Sequence, residues 1–137
     1  MKILIICTGN SCRSQIAEGY LRYYLKDKAE IFSAGLRPEP VNPFAITAMK
    51  EAGIDISRHV SNSIEQYIDD KFDYVITVCD NANEHCPIFP GNAKRIHKNF
   101  SDPAKARGEY DEVLAIYRSV RDEIKVFCLN FANDYSL

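Results

Sequence analysis

An α/β fold, with one parallel sheet of about four strands flanked by helices, is predicted by three features of the chain. KILIIC at the start is a run of strand length, rich in β-branched residues and without polar alternation, as in a strand buried on both faces. FDYVITVC, residues 72–79, is a second run of the same kind, and it too ends on a cysteine. Between and after them lie segments with apolar residues at helical spacing, and strands alternating with helices indicate a parallel sheet with right-handed crossovers.

The elements follow in order. Lys2 to Cys7 is the first strand. From Ser14 onward Ile16, Tyr20, Leu21, Tyr24 and Leu25 recur at helical spacing, with Glu18, Arg22 and Lys26 between them. AEIFSAG is a second strand closed by Gly35, and the proline-bearing LRPEPVNP is a loop. Asn42 and Pro43 supply an N-cap and a first-turn residue for a helix through Met49 to Gly53, whose glycine suits a C-terminal cap. After the polar connector IDISRHVSNS, Ile64 to Asp70 reads as a short helix, residues 72–79 as a strand and AKRIHKNF as the final strand. SDPAKARGEY is a loop. The longest helix lies within YDEVLAIYRSVRDEIKVFCLNF, where Val113, Ile116, Tyr117, Val120, Ile124, Phe127, Cys128 and Phe131 form one apolar face.

Composition excludes several classes. With 46% hydrophobic and 26% charged residues the chain folds without metal or disulfide support, and its 137 residues, free of repeats and linkers, form one domain spanning 1–137. A net charge of -2 and no basic run argue against nucleic acid as a partner. No segment reaches ~18 uninterrupted apolar residues, and no signal-peptide core is present, so a soluble, cytoplasmic protein with no membrane association is expected, as a monomer. Five cysteines are an odd set, for which reduced thiols are the resting expectation. Their spacing does not match a structural zinc site.

One stretch carries chemistry. CTGNSCRS, residues 7–14, lies between a buried strand and a helix start, where unpaired backbone N–H groups and the positive helix end favour an oxyanion. Gly9 allows a tight turn, Asn10 tolerates left-handed geometry and can brace the loop, and Arg13 offers a planar fork of donors. Cys7 at the base of this loop is expected to have a lowered pKa and to act as a nucleophile. The bland alternative, a buried strand-end cysteine beside an ordinary turn, does not explain Cys-(x)5-Arg-Ser in this setting. Neither a Walker phosphate loop nor a dinucleotide fingerprint is present.

These residues resemble the low-molecular-weight tyrosine phosphatase superfamily and, within it, the thioredoxin-coupled arsenate reductases. CTGNSCRSQIAEG, SAG, VNPFAITAMKEAGIDIS, CDNANEHCP, FSDPA and RSVRDEI occur in the family's order over nearly the whole chain. The resemblance implies a low-molecular-weight phosphatase-like fold, with Cys7 as nucleophile, Arg13 as oxyanion clamp and Asp102 as general acid. Thr8, Gly9, Asn10, Ser11, Cys12 and Ser14 would form the substrate loop, with the Ser14 hydroxyl steadying the thiolate.

Phosphatase and reductase share that set, and Cys79 and Cys86 separate them. Hydrolysis of a phosphocysteine has no use for two further thiols, whereas reducing arsenate to arsenite takes two electrons, which thiols supply by becoming a disulfide. Cys79 ends a strand expected to run parallel to the first, so it would open on the same sheet edge as Cys7. The resemblance implies a relay in which Cys79 attacks Cys7 and Cys86 then attacks Cys79, within a polar loop reached by thioredoxin. Ala104 and Lys105 follow Asp102-Pro103 where phosphatases usually carry an aromatic, although Tyr110 could swing toward the site. A tyrosine phosphatase with redox-regulated thiols, and a non-catalytic oxyanion or redox sensor, are the alternatives.

Cys12 is expected to pack and Cys128 to lie in the core. His59, His85 and His97 show no nucleophile–base spacing, although His85 stands beside Cys86. Some of these reductases hold potassium through residues matching Asn10, Glu18, Ser33 and an acid at the place of Asn62. The neutral Asn62 weakens that expectation, and no bound cofactor is otherwise implied.

Overall fold

The computed structural model describes residues 1–135. Four parallel strands, β1 (Lys2–Cys7), β2 (Glu30–Gly35), β3 (Tyr74–Thr77) and β4 (Lys94–His97), form one sheet in the order β2-β1-β3-β4. Strand β1 is central, and Ile3, Leu4, Ile5 and Ile6 are fully buried, which explains the absence of alternation in KILIIC. Each such side chain contributes about 1.5–3 kcal/mol relative to exposure.

Helices α1 (Arg13–Leu25), α2 (Pro43–Glu51), α3 (Asp80–Glu84) and α4 (Tyr110–Tyr135) flank the sheet. On α1, Ile16, Tyr20, Leu21 and Leu25 are buried. Asn42 caps α2 as expected, its Oδ1 accepting from the N–H groups of Phe44 and Ala45. At the other end Gly53 takes φ +85°, and the N–H groups of Gly53 and Ile54 bond to the carbonyls of Lys50 and Met49. That is a Schellman closure, for which a left-handed glycine is suited. No helix among the described residues is long and apolar enough to cross a membrane.

Several boundaries differ from expectation. Ile64–Asp70 forms only a 3-10 turn over Ile64–Tyr67, with Ser63 as its cap. The strand expected over 72–79 is paired only from Tyr74 to Thr77, and Cys79 is the N-cap of α3 rather than a strand residue. DNANEH, expected as a loop, is therefore mostly helical. The last strand is limited to Lys94–His97, and SDPAKARGEY contains a 3-10 turn at Pro103–Lys105 capped by Asp102. On α4 the buried face runs through Leu114, Tyr117, Val120, Ile124, Cys128 and Phe131, while Ile116 is exposed. Glu18, which falls between the apolar positions of α1, is buried, and Arg22 and Ser33 satisfy both its oxygens.

Candidate active site

The loop between β1 and α1 is shaped by its neighbours. N–H groups of Leu36, Arg37, Glu39 and Asn42 donate to the carbonyls of Cys7, Thr8, Gly9 and Ser11 at 2.8–3.3 Å, zipping the segment after β2 along the loop. With those carbonyls engaged, the N–H groups of Gly9, Asn10, Ser11 and Cys12 bond to no acceptor among the described residues. Free main-chain donors in a nearly closed loop are the signature of an oxyanion cradle. Gly35 makes the close approach possible, since a Cβ there would lie 2.8 Å from Asn10 N and Thr8 O.

Asn10 holds the loop from behind. It is fully buried at φ +50°, and its Nδ2 donates to Ser14 Oγ at 2.8 Å and Ser33 Oγ at 2.9 Å, while its Oδ1 accepts from Asn62 N at 2.8 Å. Its side chain thus braces the cradle, and only its backbone is placed to meet a ligand. Ser14 is likewise turned toward Asn10, and no hydrogen bond joins it to Cys7 among the described residues, so the thiolate-steadying role expected of its hydroxyl is absent in this arrangement. Gln15, which the sequence reading passed over, is buried and donates to the carbonyls of Asn10 and Val60.

Above the loop lies a cleft of about 210 Å³ whose walls include Cys7, Arg13, Arg37, Glu39, Asp102 and Ala104. Arg13 is fixed by Nη1 donating to Phe100 O at 2.9 Å, and its Nη2 stands 3.8 Å from Asp102 Oδ2. Asp102 Oδ1 accepts from Ala104 N at 3.0 Å, and the side chain lines the cleft. Arg37 and Glu39 were not singled out from sequence, because only the backbone zipper places them there. Tyr110 is exposed and packs on Phe44 rather than on the cleft.

Cys7 and Cys79 meet directly. Cys7 Sγ donates to Cys79 Sγ at 3.7 Å, both being buried, and Thr8 Oγ1 lies 3.3 Å from Cys79 Sγ. Cys79 is held down at about 5, first by the hydrogen bond from Cys7, then by those from the Thr8 hydroxyl and Ala82 N–H, with Arg13 assisting against burial. Cys7 is pushed up, first by the bond it donates to Cys79 and then by burial, with Arg13 opposing. The expectation of an independently acidic Cys7 is thereby corrected: the two sulfurs form one unit that holds a single negative charge, because a second thiolate so close would repel the first.

Cys86 does not sit with this pair. It follows the C-terminal end of α3, half-buried, with Sγ 3.5 Å from Pro87 O, and burial raises its pKa against the charge of Arg95. His85 turns its Nδ1 to Asn81 O instead. Cys12 lines the cleft but its thiol is pushed up to about 12, mainly by burial, and Cys128 is wholly buried.

Asn10, Glu18, Ser33 and Asn62 do come together, and Glu18, Ser33 and Asn62 line a cleft with Arg22 and His59. Glu18 Oε2 accepts from Arg22 Nε at 2.8 Å, Oε1 accepts from Ser33 Oγ, and Asn62 Nδ2 donates to the carbonyls of Ser33 and Val60. The Arg22 guanidinium occupies the position of a counter-charge, so these residues do not fit a potassium ion.

The chain is similar to an arsenate reductase of Halalkalibacterium halodurans, 51% identical over 89% of this chain and 88% of that one. It is also similar to an arsenate reductase of Bacillus subtilis, 48% identical over 89% and 88%. A solved arsenate reductase in its oxidised state superposes with a TM-score of 0.82, at 31% identity over 98% of both chains. Residues 2–136 match the profile of the low molecular weight phosphotyrosine protein phosphatases, and the chain belongs to that family.

Proposed function

We propose that this chain reduces arsenate to arsenite through Cys7, Cys79 and Cys86 and is returned to its dithiol form by thioredoxin. The observation that carries the reading is the hydrogen bond between Cys7 and Cys79. A phosphatase needs one sulfur at the base of the cradle; a second within bonding reach is what a two-electron reduction needs.

Arsenate binds to the free N–H groups of residues 9–12 and to Arg13. The proton of the sulfur pair passes to Cys79, leaving the thiolate on Cys7, which attacks arsenic and expels an oxygen that Asp102 protonates to water. Cys79 gives that proton up to solvent, and its thiolate attacks Cys7 Sγ. The arsenic–sulfur bonding pair moves onto arsenic, which falls from the +5 to the +3 state and leaves as arsenite, while Cys7 and Cys79 become a disulfide. Cys86 thiolate then attacks Cys79 Sγ, releasing Cys7 thiolate and forming a Cys79–Cys86 disulfide. A dithiol of the thioredoxin class reduces it by thiol–disulfide exchange.

The last intramolecular step requires α3 to unwind. Cys79 caps one end and Cys86 lies beyond the other, so at ~1.5 Å per residue their Cα atoms stand about 10 Å apart, against the ~7 Å limit for a disulfide. No potassium enters this scheme, because Arg22 already neutralises Glu18.

Tyrosine phosphatase activity is the second reading, favoured by the family to which the chain belongs and by the shared Cys7, Arg13 and Asp102. Against it, the cleft is lined by Arg37, Glu39 and Ala104 and, among the described residues, by no aromatic ring to grip a phenyl group. The deciding experiment supplies arsenate, thioredoxin, its reductase and NADPH to wild type, Cys79→Ser and Cys86→Ser, with an aryl phosphate assayed in parallel. Multiple turnovers in wild type alone support the relay. Full steady-state arsenate reduction by Cys79→Ser, or aryl phosphate turnover without arsenate turnover, rejects it.

A further inference from the structure

Helix α3 has five residues, too few to persist on its own backbone bonds, and its single buried residue is Ala82. Polar ties hold it instead, each to a different element. Asn81 Nδ2 donates to Thr8 Oγ1 at 3.0 Å on the oxyanion loop, and Thr77 Oγ1 at the end of β3 donates to Asn83 Oδ1 at 3.5 Å. At the start of the helix, Asp80 N donates to Asn99 Oδ1 at 3.0 Å.

The shortest tie joins Asp80 to β4. His97 Nε2 lies 2.7 Å from Asp80 Oδ1, and His97 Nδ1 lies 2.7 Å from Thr77 Oγ1. Both ring nitrogens are engaged, so the ring is fixed by β3 on one side and directed at Asp80 on the other. His97 pairs in register with Thr77 at the carboxyl end of the sheet, on the edge where Cys79 emerges. Asp80 is the residue next to Cys79, so whatever holds Asp80 also holds the sulfur that faces Cys7.

The geometry points to a latch: His97, braced by Thr77, holds Asp80 and so keeps α3 wound with Cys79 against Cys7, and its release limits how fast Cys86 reaches Cys79. The holding of α3 stands on these contacts alone, whereas the limit on Cys86 rests on the relay described above. His97 and Asp80 are positioning residues, since neither needs to touch arsenate. A side-chain contact as exposed as this one adds little to global stability. A short helix opens as a local unit when only its own ties break, so the effect is confined to α3.

The test is amide hydrogen exchange on the full-length reduced protein, followed by peptide, in wild type, Asp80→Ala, His97→Ala and His97→Gln. The glutamine amide can restore a donor to Asp80. Residues 80–86 are expected to exchange about fivefold faster in both alanine variants and close to the wild-type rate in His97→Gln, with peptides from β1 and α4 unchanged. Unaltered exchange at 80–86, or an acceleration spread evenly along the chain, overturns the latch.

A second arm adds one equivalent of arsenate, quenches by alkylation and maps disulfides by mass. The early ratio of Cys7–Cys79 to Cys79–Cys86 disulfide is expected to fall about fivefold in Asp80→Ala, and an unchanged ratio removes the limiting role. Should wild type form no Cys79–Cys86 disulfide at all, the relay fails, and the exchange arm still decides whether His97 holds α3.

Discussion

Cys7 and Cys79, 72 positions apart in the chain, share a hydrogen bond between their sulfurs at 3.7 Å. A disulfide is about 2.05 Å long, so the two atoms need to close by only about 1.7 Å to bond. Linking Cys79 to Cys86 instead demands loss of a helix.

Removing Cys86 should therefore trap the first disulfide. In Cys86→Ser, one equivalent of arsenate is expected to yield one arsenite and a stable Cys7–Cys79 bridge, found by alkylation and peptide mass mapping. An unbridged Cys7–Cys79 pair after arsenite release would contradict the order of steps.

The shared proton makes the two thiols reciprocal. One thiolate is expected to titrate in with a midpoint near about 5, seen as thiolate ultraviolet absorbance. Cys7→Ala removes the largest cause of that depression and raises the Cys79 midpoint, and Cys79→Ala lowers Cys7 by removing the largest cause of its elevation.

Stability should follow the same pair. Between about 5 and 9.0 the unfolded chain carries a proton on Cys79 that the folded chain has lost, so this contribution grows as pH rises and disappears as pH falls through about 5. Above 9.0 the folded state keeps the Cys7 proton that the unfolded state releases, and stability declines. Urea midpoints across this range should peak near 9.0, and the Cys7→Ala, Cys79→Ala double variant should lose the peak.

Gly35→Ala places a methyl group against the backbone of Thr8 and Asn10, which cannot move like a flexible side chain. A stability loss of about 1–3 kcal/mol is expected, together with weaker arsenate or sulfate binding by calorimetry. Normal anion affinity in this variant would show that the close approach does not shape the cradle.

Tyr20 tests the opposite direction. Its hydroxyl is buried without a hydrogen-bond partner among the described residues. Tyr20→Phe should be neutral or stabilising by up to about 1 kcal/mol in denaturant unfolding.

How much of this was legible depended on where the deciding information lies. The sheet could be read because Ile3 to Ile6 carry their burial in their own composition, and the cradle could be read because Gly9, Asn10 and Arg13 are adjacent to Cys7 in sequence. Helix α3 could not. DNANEH has no apolar period, and its partners Thr8, His97 and Asn99 come from other elements far along the chain. The burial of Glu18 is likewise not legible locally, since Ser33, which closes one of its oxygens, arrives from β2. Arg37 and Glu39 reach the cleft by main-chain pairing, which leaves no trace in side-chain identity.

The four main-chain bonds from Leu36, Arg37, Glu39 and Asn42 have a further effect. They stop the peptide dipoles of the cradle from swinging round to suit whatever occupies it. A doubly charged tetrahedral oxyanion finds those dipoles already aligned with it, whereas an uncharged, pyramidal acid offers them little to grip. A ring of amides held this way favours the anion over a neutral molecule of similar size.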